Sequence, residues 1–120
     1  MLNAEQLSNL VVNAMEDRKA ENIKVLDVRG MSDITDWLVI ASAASNRQVV
    51  AIADKIVEDA KERGCRPLGM EGEDAGEWVL VDLGDVVAHV MQPAIRDFYQ
   101  LEKLWSPMQE QYTMQAWGAF

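Results

Sequence analysis

The sequence predicts an α/β domain, a mixed sheet of roughly five strands with flanking helices, in the order α-β-β-α-β-β-β-α. Three observations carry that expectation. Two segments, opening at Asn3 and Ser45, repeat apolar residues at helical spacing behind capping patterns. One run, TDWLVIASA (35–43), is apolar almost throughout, as a strand covered on both faces must be. The dipeptide Gly84-Asp85 parts two further apolar runs in the way a tight hairpin turn does.

In order along the chain, Asn3 and Gln6 form a capping box ahead of Leu7, Leu10, Val11, Ala14 and Met15, which gives a helix over about 4–18. NIKVLDV (22–28) alternates and is β-branched enough for a strand ending at Arg29-Gly30. The run 35–43 follows as a buried strand placed centrally. S-N-R-Q from Ser45 is a second capping box, and Val49, Ile52, Ala53, Ile56, Val57 and Ala60 line a helix that Gly64 ends. Its outer face, Asp54, Lys55, Glu58, Asp59, Glu62 and Arg63, reads as solvated charge. RPLGM (66–70) makes a short strand that Pro67 directs to an edge, and EGEDAG is a polar loop. Residues 77–83 and 86–91 form the hairpin. Pro93 opens a last helix with Ile95, Phe98, Tyr99, Leu101, Leu104 and Trp105 on its buried side, until Pro107.

A chain of 120 residues supports one ordinary core, so a single domain is expected over 1–106, with 107–120 as a tail, where mobility concentrates. No repeat or low-complexity tract divides it. Apolar residues at 49% and charged residues at 26% give the balance of a globular protein, and no apolar run reaches membrane-span length. MLNAEQLSNL lacks the basic and apolar regions of a signal peptide, so a cytoplasmic location is expected. Cys65 is the single cysteine and reads as structural. A formal charge of −9 repels phosphate, so little direct nucleic-acid contact is expected and a basic protein partner is favoured.

Chemistry-bearing residues cluster at GEWVLVDLGDVVAHVM (76–91), where Asp82, Asp85 and the lone histidine, His89, suggest a metal or hydrolytic site. No second histidine and no nearby cysteine supports a metal, and Asp85 is explained as a turn residue and Asp82 as a strand-end carboxylate. Ser42 and Ser45 follow a buried strand, but Ser45 is a helix cap. Neither G-x-x-x-x-G-K-[ST] nor G-x-G-x-x-G occurs. No catalytic residue, metal or cofactor is expected, and a metal-dependent nucleotidyl- or phosphoryl-transfer enzyme is the alternative reading.

With a two-residue loop, Leu83 pairs with Val86, Val81 with Ala88 and Val79 with Val90, which makes that face core. The opposite face collects Trp78, Leu80, Asp82, Val87, His89 and Met91. Half-buried packing and a protein-binding face both fit such a mixture.

Three stretches, DVRGMSDITDWLVIASAASNRQVVAIADKI, PLGMEGEDAGEWVLVDLGDVVAHVM and RDFYQLEKLW, resemble the ribosome silencing factors, also called the iojap or RsfS family, over roughly 4–106. The resemblance implies a sheet similar to the nucleotidyltransferase superfamily, without its catalytic motif, and a role that is not enzymatic. Active nucleotidyltransferases carry a Gly-Ser turn and a D-x-D pair on the next strand; here the turn is Ala44-Ser45, and Asp54, Lys55 and Ile56 fall in the second helix. It further implies binding to the large ribosomal subunit through large-subunit ribosomal protein fourteen, which blocks small-subunit joining and lowers translation when nutrients are scarce.

Carried over by position, the partner-binding residues are Trp78 and His89 of the hairpin, Glu71 and Gly72 of the preceding loop, and Arg96, Tyr99 and Lys103 of the last helix. Trp78 and His89 have independent support from their shared face, whereas Arg96 and Lys103 also fit ordinary surface charges. Asp36 and Ser45 match the family pattern but are explained as a strand-start carboxylate and a cap. A homodimer through a sheet edge or the hairpin face stays open beside a monomer.

Overall fold

A computed structural model describes residues 2–30 and 35–99, the last two without their side chains. Lys103, Trp105, the expected boundary at 106 and the tail 107–120 lie outside the described residues.

The first helix, α1 (Ala4–Asp17), begins as its capping box requires: Asn3 Oδ1 accepts the Gln6 N–H at 2.8 Å and Gln6 Oε1 accepts the Asn3 N–H at 3.0 Å. Its buried stripe is Leu7, Val11, Ala14 and Met15. α2 (Asn46–Glu62) starts at Ser45, whose Oγ accepts the Gln48 N–H at 3.1 Å. The reciprocal half of that box differs. Gln48 Oε1 takes the Ala44 N–H, and its amide donates to the Arg18 and Lys19 carbonyls at 3.4 and 3.3 Å, tying the end of α1 to the start of α2. Gly64, at φ +79°, follows the helix end in the left-handed conformation that glycine adopts without strain.

Five strands form one sheet: β1 (Glu21–Asp27), β2 (Trp37–Ser42), β3 (Gly69–Glu71), β4 (Trp78–Asp82) and β5 (Val86–Met91), in the order β1-β2-β5-β4-β3. Only the β2–β5 pair is parallel; the other neighbours are antiparallel. Thus β2 is interior but not central. The middle place goes to β5, all six of whose residues are buried, while β1 is largely exposed at one edge and β3 closes the other. A chain leaving β2 through α2 returns as a meander of short antiparallel strands, and its last member is the one that can lie beside β2.

Two cores follow from strand alternation. One face carries Val39, Ala41, Val79, Val81, Val86, Ala88 and Val90 against the apolar stripes of α1 and α2. The other carries Leu38, Ile40, Trp78, Val87 and Met91, with Val28 and with Ile95 of α3 (Pro93–Tyr99) packed against them. Among the described residues no helix is long and apolar enough to cross a membrane.

Candidate functional site

The hairpin closes as its two-residue loop demands. The Leu83 N–H donates to the Val86 carbonyl at 2.9 Å, Gly84 holds φ +88°, and the Asp82 carboxylate accepts the Gly84 N–H at 2.9 Å. Val79 pairs with Val90 and Val81 with Ala88, so the faces divide as the alternation requires. Asp82 is therefore a turn-stabilising carboxylate. The Asp85 carbonyl accepts the N–H groups of Asp36 and Trp37, at 3.1 and 3.0 Å, and fastens the turn to the start of β2.

The second face is closed to solvent at its centre. His89 sits between Ile40 and Leu80 in register and is 0% exposed; Trp78 is 7% exposed. The layer around them holds Val28, Leu38 and Ile40, with Ile95 packed against it. Trp78 and His89 do meet. The indole Nε1–H donates to His89 Nδ1 at 2.9 Å with ring centroids 5.8 Å apart. Accepting at Nδ1 fixes the neutral imidazole with its proton on Nε2, and burial lowers its pKa to about 3.

Arg96, read from sequence as a contact residue or a plain surface charge, is buried as well. Its Nη1 donates to the Asn22 carbonyl at 2.6 Å and to Ser42 Oγ at 2.9 Å, joining α3 to β1 and β2. That bond also gives Ser42 its role as an acceptor. Its hydroxyl is buried and Arg96 faces it.

Gly72 opens the loop between β3 and β4 at φ +89°, and a Cβ there would collide with the Trp78 carbonyl oxygen. Gly76, at φ +69°, rests against Asn46, where a Cβ would stand 2.9 Å from the asparagine Cβ. The Asn46 amide donates to the Ala75 carbonyl at 2.9 Å, and its Oδ1 accepts from the Gln92 amide. This clamp was not legible in the sequence, since Ser45 alone accounts for the helix start. Around it Glu71, Glu73, Asp74 and Glu77 are exposed. Of the seven residues expected at the partner surface, Glu71 is exposed, Gly72 shapes its loop, Trp78, His89 and Arg96 are buried, Lys103 lies outside the described residues and the Tyr99 side chain is not described.

Asp82, Asp85 and His89 do not converge: one carboxylate is held by its own turn, one is exposed at the turn, and the imidazole is in the second core. Among the described residues no three His, Cys, Asp or Glu side chains group to hold a metal.

Three comparisons bear on what this arrangement serves. A family model described as "Ribosomal silencing factor during starvation" matches residues 1–117. Ribosomal silencing factor RsfS of Chromobacterium violaceum is 41% identical over 118 residues, covering 96% of this chain and 97% of that protein. "Mitochondrial assembly of ribosomal large subunit protein 1" of Mus musculus is 36% identical over 101 residues, 82% of this chain and 44% of its own. A Chromobacterium violaceum crystal structure superposes with a TM-score of 0.85 at 43% identity, covering 87% of each chain.

Proposed function

The chain belongs to the family of ribosomal silencing factors, and from that premise we propose that it binds the large ribosomal subunit through large-subunit ribosomal protein fourteen and thereby prevents small-subunit joining, repressing translation under nutrient limitation. The carrying observation is the family match over nearly the whole chain, and the mouse relative, named for large-subunit assembly, supports the choice of subunit. The proposed mode is occupancy without catalysis, in the cytoplasm. A body about 36 × 33 × 22 Å across is several times thicker than the ~4 Å separation of two packed surfaces, so seating it on the joining face suffices to hold the subunits apart.

In this reading Glu71 and the loop that follows it make contact, with Tyr99 and Lys103 included on the resemblance alone. Trp78, His89, Gly72 and Arg96 act from beneath, by fixing the loop and α3 in the presented conformation. Pre-formed contact groups lose less conformational freedom on binding, which lets a small surface hold a large partner. Co-sedimentation with purified large subunits tests the proposal: the chain should travel with large subunits and not with small ones. Absence from the large-subunit fraction at micromolar concentration would refute it.

A further inference from the structure

Asn46 is the first residue of α2, and its side chain is not needed to start the helix, because the Ser45 hydroxyl already does so. It reaches instead to two segments far away in sequence. Its Nδ2–H donates to the Ala75 carbonyl, 29 residues on, at 2.9 Å, and its Oδ1 accepts from the Gln92 side-chain amide, 46 residues on. An amide that donates on one side and accepts on the other sets the distance between the two groups it bonds.

Each of these two groups leads to one part of the proposed contact surface. Ala75 stands in the loop after Glu71, and that loop closes on itself where the Gly76 N–H donates to the Gly72 carbonyl at 3.0 Å. Gln92 stands between β5 and α3. Its backbone N–H donates to the Glu77 carbonyl and its carbonyl accepts the Arg96 N–H, both at 3.0 Å, so α3 sets out from it. Gly76 is a second, independent observation. It is buried, and a Cβ there would stand 2.9 Å from the Asn46 Cβ and 3.0 Å from the Asn46 carbonyl oxygen, so the loop is pressed against this one residue with no room for a side chain between.

We infer that Asn46 is a positioning residue for large-subunit binding: without touching the partner, it holds the 72–76 loop and the start of α3 at the mutual spacing that the partner meets. The inference rests on the large-subunit reading above and adds the residue that joins the two parts of its contact surface. Asn46 itself is exposed, so water can replace both of its bonds, and losing them costs the fold little. The cost falls on binding, where a loop and a helix no longer held together must be ordered against the partner.

The test uses the whole chain and measures, for each variant, affinity for purified large subunits, the urea midpoint and amide exchange at Gly76. Asn46→Asp is the decisive variant. Its carboxylate still accepts from Gln92 and suits the N-terminus of a helix, but it has no proton for the Ala75 carbonyl. It should leave the urea midpoint within about 0.5 M of the wild type, speed exchange of the Gly76 amide and weaken binding roughly tenfold. Asn46→Ala, which loses both bonds, should weaken binding at least as much. In a chain already carrying Glu73→Ala and Asp74→Ala, Asn46→Asp should cost less than about threefold, because the loop it positions no longer offers those side chains. Binding that stays within about twofold in both Asn46 variants overturns this role and leaves the large-subunit reading standing; a wild-type chain that ignores large subunits overturns both. Weaker binding with unchanged Gly76 exchange, or with costs that add in full to those of Glu73→Ala and Asp74→Ala, would make Asn46 a direct contact and overturn the inference. A midpoint lowered by more than about 0.5 M in both variants would make the clamp a support of the whole fold, and overturns it too.

Discussion

His89 is the one histidine of the chain, so a single imidazole reports on the second face of the sheet. Burial holds its pKa near 3, while in the unfolded chain it titrates near 6.5. Between those values the unfolded state binds a proton that the folded state refuses, so stability falls as the pH drops. The sign is that of a base buried neutral: its contribution to the pH dependence is flat above the unfolded pKa, declines as pH falls from about 6.5 to about 3, and levels below. At pH 5 the folded imidazole is still neutral, so the loss relative to pH 7 follows from the unfolded titration alone and is about 2 kcal/mol. Urea unfolding of the wild type and of His89→Gln at pH 7, 6 and 5 measures it, the difference between the two pH dependences removing what the carboxylates contribute. The imidazole resonance of the folded chain should meanwhile stay constant between pH 7 and 5. A folded histidine titrating near 6.5, or identical pH dependences for the two proteins, would refute the buried Trp78–His89 layer and return His89 to an open face.

Further outcomes follow from the supporting contacts. Arg96→Lys should cost about 1.5–3 kcal/mol in a urea titration, because an ammonium does not reproduce the guanidinium's reach to both the Asn22 carbonyl and Ser42 Oγ; a neutral result would make α3 independent of that tie. Gly72→Ala should cost more than about 2 kcal/mol, combining left-handed strain with the collision at the Trp78 carbonyl. Gly30→Ala has the strain, at φ +81°, with open space around it, and should cost only about 1–2 kcal/mol. Equal costs for the two glycine variants would show that close approach to Trp78 adds nothing.

Much of the fold is written locally. The Asn3–Gln6 box, the Ser45 cap, Gly64 and the Gly84-Asp85 turn each act through neighbours within a few residues, and all lie where the sequence places them. Pairing across the hairpin was legible for the same reason, since loop length sets register. What alternation does not give is the neighbour on the far side of a strand. It separated Trp78 and His89 from the core face, but their burial depends on β2, Val28 and Ile95 arriving from distant parts of the chain. Arg96 illustrates the same limit: helical spacing marks its position, while its partners are 74 and 54 residues away in sequence. Asn46 and Gln92 meet across 46 residues, with no local pattern to announce them.

The most direct measurement of the central claim is subunit joining itself. Purified small and large subunits are mixed at joining magnesium concentration, and light scattering follows the rise of joined ribosomes with and without stoichiometric chain. Occupancy of the large subunit predicts that the scattering amplitude falls in proportion to the fraction of large subunits bound, with no effect when the chain is first incubated with small subunits and then removed. Unchanged joining while the chain saturates the large subunit would contradict it.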